Sequence, residues 1–256
     1  MLFAIYDLET GEETELQTNL WMIFAIQMQR ARWSPDGKSL LIQGGDPRRG
    51  VSGFYLFDIK TGKRTPLLEE EATEHEGTIK LVGLGPELAP DGKTLYYLKR
   101  LKPDSFKRAL MKYDISSNTK TILHEDENGI GFAALSPDGN FLAFGFALEK
   151  PNELWVIPTD GGEAHLIGGL DEGQPIAYPE WTPDSRQVIA YAWNSKDLYS
   201  FPIEGGKPAK LDITLEDGRY LSIHPDGKRI AFTHTPRAGG DIYIMENFLP
   251  KPEDRK

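Results

Sequence analysis

A five-residue turn signal recurs five times along the 256 residues, and no other feature of the chain limits its fold as tightly. The copies are Trp33-Ser-Pro-Asp-Gly37, Leu88-Ala-Pro-Asp-Gly92, Leu135-Ser-Pro-Asp-Gly139, Trp181-Thr-Pro-Asp-Ser185 and Ile223-His-Pro-Asp-Gly227. Proline presets φ at the first turn position, aspartate bonds back to nearby amides, and glycine accepts positive φ. An apolar strand follows each copy: SLLIQ (39–43), TLYYL (94–98), FLAFGF (141–146), QVIAYA (187–192) and RIAFTH (229–234). The prolines at 35, 90, 137, 183 and 225 are spaced by 55, 47, 46 and 42 residues. That spacing suits a four-stranded repeat of about 40–50 residues.

A second hairpin follows each first one. It reads FYLFDIKTGKRTPLL (54–68), ALMKYDISSNTKTIL (109–123), LWVIPTDGGEAHLI (154–167) and LYSFPIEGGKPAKL (198–211). Its tight turns fall at Thr61-Gly62, Ser117-Asn118, Gly161-Gly162 and Gly205-Gly206, where Asn and Gly tolerate positive φ. Two hairpins per repeat make four antiparallel strands, which is one blade of a β-propeller. The predicted fold is therefore all-β, with five to six four-stranded antiparallel blades.

The chain opens in a second hairpin, LFAIYDLETGEETEL (2–16), and its last predicted strand is DIYIME (241–246). Counting hairpins gives 21 strands, one more than five blades need. The favoured account is a six-bladed parent with an incomplete first blade, shortened at the N-terminus. The other is five blades closed by an N-terminal strand. Residues 1–250 are expected to form a single propeller domain, and 251–256 a polar tail. Only LLEEEATEHE (67–76) has helical character, and its place between repeats predicts a loop.

The five turns and their following strands resemble the WD-like repeats of the TolB-like propeller family. The unit LWVIPTDGGEAHLI is similar to that family's second hairpin, and GGDIYIMENFLP (239–250) resembles the C-terminus of many bacterial members. The resemblance implies a binding scaffold in a bacterial envelope or sensor protein, and it favours the periplasm or extracellular space. It also implies rivals: the substrate-gating propeller of a serine oligopeptidase, a propeller hydrolase or lyase, or a small-ligand sensor. Such repeats serve many roles, so the resemblance speaks for fold more than for function.

The net charge of −10 argues against duplex DNA and anionic membrane as partners, since both demand an excess of Lys and Arg. With no cysteine, disulfides, thiolate metal sites and a cysteine nucleophile are excluded. The longest apolar run, Leu20 to Ile26, is too short to span a bilayer. Residues 1–13 lack the basic region of a secretory leader.

No catalytic motif emerges. Gly50-Val-Ser-Gly53 lacks the spacing of a nucleophile elbow and is expected in a loop. Glu125-Asp-Glu-Asn-Gly129 suggests a calcium loop. With Gly129 at position 6, however, His124 and Leu135 occupy positions 1 and 12, where acids belong. The five histidines, His75, His124, His165, His224 and His234, show no metal-ligand spacing. The recurrent Asp36, Asp91, Asp138, Asp184 and Asp226 are read as turn residues rather than as a carboxylate ring. Trp33, Trp155, Trp181 and Trp193 are read as packing between blades, and the apolar segment 19–29 around Trp21 as a channel plug, a blade cap or a domain contact. No cofactor or metal is expected.

Charge placement carries the functional expectation. Acidic residues gather between repeats: Glu69, Glu70, Glu71, Glu74, Glu76, then Glu125, Asp126, Glu127, then Asp171, Glu172, then Glu216, Asp217. One loop is basic, with Lys99, Arg100, Lys102, Lys107 and Arg108. In a propeller these segments lie on one face. They predict a polarised docking surface for a protein or peptide partner, in particular a basic one.

Overall fold

A computed structural model describes residues 2–6, 13–17, 20, 31–46, 48–71, 74–75, 78–79, 84–102, 105–215, 218–223, 227–234 and 241–246. Among these residues every regular element is a β-strand. The chain divides into two compact units, Met1–Lys99 with Met111–Thr121, and Arg100–Leu110 with Ile122–Lys256.

In the first unit, β1 (Leu2–Tyr6) and β2 (Glu13–Gln17) pair as an antiparallel hairpin. A four-stranded sheet follows in chain order: β3 (Arg32–Trp33), β4 (Ser39–Asp46), β5 (Val51–Asp58) and β6 (Arg64–Glu71). A short hairpin joins β7 (Glu74–His75) to β8 (Thr78–Ile79). The next sheet holds β9 (Leu84–Leu88), β10 (Thr94–Arg100), β11 (Arg108–Asp114) and β12 (Thr119–Asp126). Its strands contribute residues to both units.

The second unit continues with β13 (Ile130–Leu135), β14 (Phe141–Phe146), β15 (Glu153–Pro158) and β16 (His165–Gly169) as one sheet. A further sheet holds β17 (Ile176–Trp181), β18 (Gln187–Ala192), β19 (Asp197–Pro202) and β20 (Ala209–Thr214). Last comes a three-stranded sheet of β21 (Gly218–Ile223), β22 (Arg229–His234) and β23 (Asp241–Glu246). The predicted hairpin order is thus found, with β7 and β8 as an addition.

Two local expectations are corrected. Residues 67–71 are neither helix nor loop but the end of β6, paired as Ser52↔Glu70, Gly53↔Glu69 and Phe54↔Leu68. Helix propensity differs by only about 0.7 kcal/mol per residue among ordinary residues, and strand pairing overrides it here. The same pairing draws Val51 to Gly53 into β5, so Ser52 is a buried strand residue rather than part of a loop.

The recurrent turn has one hydrogen-bond pattern. Ser34 Oγ donates to Asp36 Oδ1 at 2.6 Å, and the amides of Lys38 and Gly37 donate to Asp36 Oδ1 and Ser34 O at 3.1 and 2.8 Å. Ser136 with Asp138, and Thr182 with Asp184, repeat the side-chain bond at 2.6 Å. Ala89 has no hydroxyl to offer, so Asp91 takes its side-chain bond from Thr94 Oγ1 at 3.1 Å instead. The aspartates are therefore turn caps, as their recurrence predicts. Pro225 and Asp226 lie outside the described residues, as do segment 21–30 and the tail 251–256.

Burial follows strand position within a sheet. The second strands are continuously buried: Leu142 to Gly145 in β14 and Val188 to Ala192 in β18. Fourth strands such as β12 and β20 are largely exposed. The reason lies in the two-residue period of a strand. In β18, Val188 and Ala190 pack with Ala134, Ala143, Leu154 and Val156 of the preceding sheet. Ile189 and Tyr191 point the other way, against Leu221 and Ile230 of the following one. β18 is thus apolar on both faces because a sheet lies against each. Trp181 joins neighbouring sheets directly, its Nε1–H donating to Ala134 O at 2.9 Å. The turns join too, the Asp138 amide donating to Ser185 Oγ at 3.1 Å.

Two substitutions test this packing by chemical denaturation. A Cβ on Gly53 would lie 2.2 Å from the backbone oxygen of Leu68. Gly53→Ala is expected to destabilise the protein by about 2 kcal/mol through overpacking. Trp181→Phe keeps an aromatic ring but removes the bond to Ala134 and part of the buried indole, and is expected to cost about 2 kcal/mol. Unchanged midpoints in both would contradict the packing described.

Candidate functional site

The charged residues singled out above are better placed in strands and ion pairs than their sequence positions suggest. Glu69, Glu70 and Glu71 belong to β6, Glu125 and Asp126 to β12, Lys99 and Arg100 to the end of β10, and Arg108 to the start of β11. Glu74 lies in β7. Lys102 and Lys107 sit between β10 and β11, Glu127 follows β12, and Asp171 and Glu172 precede β17. Glu76, Glu216 and Asp217 lie outside the described residues.

In the first unit Glu69 and Glu70 are met by cations. Arg49 grips Glu69 with both arms, Nη1 to Oε1 at 2.7 Å and Nη2 to Oε2 at 2.9 Å. Glu70 receives Lys99 Nζ at 3.3 Å and Lys120 Nζ at 2.5 Å. Burial pushes the Glu70 carboxyl up, but the Lys120 hydrogen bond and the charges of Lys99 and Lys120 outweigh it and hold the group below its ordinary value. Asp46 is paired with Arg64 at 2.9 Å. Beneath this layer the buried Tyr55 and Tyr97 phenols are pushed up, first by burial and then by the charges of Glu69 and Glu70 respectively.

In the second unit Lys107 Nζ bridges Glu125 at 3.0 Å and Glu127 at 2.9 Å. Arg108 is buried, with Nη1 donating to Ile130 O at 2.7 Å, so it serves the strand start and not the surface. Burial, and then the neighbouring Arg100, pull its pKa down. Asp126 accepts the Asn128 amide at 2.7 Å and caps the turn after β12, which replaces the calcium reading of that stretch. The half-buried His124 packs its ring 5.2 Å from Phe144, and burial lowers its pKa. Among the described residues no three His, Asp or Glu side chains are grouped to hold a metal.

Asp171 and Glu172 are exposed in the turn before β17. That turn is tied to the one after β18. The Trp193 amide donates to Pro175 O at 2.8 Å, the Ser195 amide to Gln174 Oε1 at 3.1 Å, and Asn194 Nδ2 to Gly173 O. Beside it stands an aromatic cluster that the sequence reading missed. Tyr178 packs on Phe132 at 4.8 Å and on Trp193 at 6.0 Å, and Tyr191 meets Trp193 edge-on at 6.2 Å. Of the tryptophans expected in packing, Trp181 is buried, Trp33 is 54% exposed and Trp193 is 36% exposed.

A scan against protein-family models finds no match. A LexA repressor from Desulfatibacillum aliphaticivorans is 31% identical over 90 residues, which cover 35% of this chain and 40% of that protein. The Tol-Pal system protein TolB of Francisella tularensis is 30% identical over 97 residues, 36% of this chain and 22% of that protein. The matched segments thus span less than half of these curated relatives. Among solved structures, TolB from Acinetobacter baumannii superposes with a TM-score of 0.72 at 17% identity, over 95% of this chain and 56% of that one. A TolB-like protein from Agrobacterium tumefaciens gives 0.68 at 13% identity, over 96% of this chain and 84% of that one. An oligogalacturonate lyase from Vibrio parahaemolyticus gives 0.58 at 15% identity, over 96% and 82%. With its four-stranded antiparallel sheets, the chain is a β-propeller. Its structural neighbours are TolB and TolB-like propellers.

The Glu70 cluster makes a prediction with a defined sign. The folded carboxyl holds its proton less readily than the unfolded one, so its stabilisation is fully present above the unfolded value of about 4.3 and is lost as pH falls through the lower folded value. Glu70→Gln is expected to lower stability at neutral pH by about 1 kcal/mol. The gap to the parent protein should close in acid and narrow with salt. A gap independent of both in urea titrations would contradict the ion-pair account.

Proposed function

We propose that this chain is a non-catalytic propeller scaffold that binds a protein or peptide partner within a bacterial envelope or sensor protein. The observation carrying the reading is the superposition on TolB over 95% of the chain. A segment match to a protein named for the Tol-Pal system agrees with it. Residues 1–250 are taken as one domain of the TolB-like family, its turns as WD-like repeats, and residues 251–256 as a tail. The partner surface is drawn on the charged loops identified above. Within that set Glu69, Lys99, Lys107, Glu125 and Glu127 are already paired inside the chain. The exposed Glu71, Asp171, Glu172 and Lys102 are therefore the residues offered to a partner, with a basic segment favoured.

A second reading is a propeller lyase, favoured by the 0.58 superposition on the oligogalacturonate lyase. One pair of assays separates the two. The immobilised chain is expected to retain a protein from bacterial lysate at low salt and release it at high salt, and to leave an oligogalacturonide uncleaved. Cleavage abolished by a chelator, with nothing retained on the column, would reverse the assignment.

A further inference from the structure

We infer that Arg108 anchors a binding site for a small oxyanion, a phosphate or a carboxylate. The inference goes beyond the partner-binding reading and does not rest on it. Arg108 opens β11 and is only 7% exposed. Its Nη1 donates to Ile130 O, at the start of β13, at 2.7 Å. Its Nε is enclosed and has no acceptor, and among the described residues no carboxylate pairs with the guanidinium. Glu125 and Glu127 are held by Lys107, the residue before it. The charge that does act on Arg108 is that of a second cation, Arg100.

A buried cation without a counter-charge is costly, and a guanidinium cannot shed its charge to escape that cost. The fold does not demand one at this place. Ile59, Ile115, Thr159 and Ile203 are equivalent in their sheets, their amides donating to Lys38 O, Lys93 O, Asn140 O and Arg186 O at 3.0, 2.9, 2.9 and 3.0 Å. Seven residues before each stand Ser52, Arg108, Asn152 and Lys196. Serine and asparagine fill the place without a charge. Ser52 is buried, and Asn152 Nδ2 donates to Leu170 O at 2.6 Å.

The geometry of the guanidinium sets the ligand. With Nη1 turned to Ile130 O, the edge formed by Nε and Nη2 keeps its two parallel donors. Such a fork matches two oxygens of a phosphate or a carboxylate, and no neutral or cationic group satisfies it as well. Nε is closed to water, so solvent does not replace the missing acceptor there. An oxyanion reaches it through a small movement of the side chain. The charge of Arg100 repels Arg108 but attracts the same anion, and it does so without acting as a ligand.

The test is titration calorimetry on the full chain with inorganic phosphate and with succinate, in chloride buffer of matched ionic strength. At least one is expected to bind, and the tighter of the two identifies the group the site takes. Arg108→Gln keeps a donor for Ile130 O but removes the charge and the fork. It is expected to weaken binding by at least about tenfold. Arg108→Lys keeps the charge without the fork and should also bind more weakly; should Arg108→Gln not fold, this variant carries the titration. Thermal melts give a second readout. In chloride alone Arg108→Gln should melt no lower than the parent protein, because it removes an uncompensated charge. Phosphate stabilises proteins in general, so the quantity to read is the difference between parent and variant, which should grow with the bound oxyanion. Three results would overturn the proposal: no binding of either anion, binding unchanged by the substitutions, or an Arg108→Gln protein less stable by the same margin with and without oxyanion. The last would leave the guanidinium with the Ile130 bond as its whole role.

Discussion

Everything in this fold depends on a five-residue turn that sets strand register. Within it a hydroxyl or amide bonds an aspartate, and the backbone closes from Gly37 to Ser34, Gly92 to Ala89, Gly139 to Ser136 and Ser185 to Thr182. Because a strand alternates faces every two residues, fixing the turn fixes which side chains meet each neighbouring sheet. Val188 and Ile189 are adjacent in sequence yet serve different cores for this reason. A slip of one residue would exchange both sets at once. The bonds from Trp181 to Ala134 and from Asp138 to Ser185 then carry the register from one sheet to the next.

That framework also decides which charges are left for function. A run such as Glu69 to Glu71 looks like a free acidic surface in sequence. In the structure Glu69 is held by Arg49 and Glu70 by Lys99 and Lys120, so much of its field is spent inside the first unit. In the second unit Lys107 does the same for Glu125 and Glu127. Exposed ion pairs contribute little stability each, but they remove charge from the outer surface. Asp171 and Glu172, in the turn before β17, stand exposed by contrast.

The fold was largely legible because its signals are local. Pro-Asp-Gly turns, paired glycines and alternating apolar strands each need only a few neighbouring residues, and the hairpin order follows from them. What was not legible depends on distance in sequence. Glu70 meets Lys99 and Lys120 across 29 and 50 residues, and no spacing rule links them. The stretch 67–71 carries helix-favouring glutamates, yet β5 claims it as a strand partner. Tyr178 reads as an ordinary strand aromatic, while its positive φ and its contact with Trp193 arise from a register irregularity that only the pairing shows.

The central claim, that the recurrent turn anchors each sheet, is tested most directly by residue-resolved hydrogen exchange in the native protein. The amides of Ser34, Ala89, Ser136 and Thr182 donate across the turn to Ser39, Thr94, Phe141 and Gln187 at 2.8 to 2.9 Å. They are expected to exchange slowly and as one class, while the exposed second-hairpin turns at Gly162 and Gly206 exchange fast. Turn amides that exchange as fast as Gly162 and Gly206 would contradict the account.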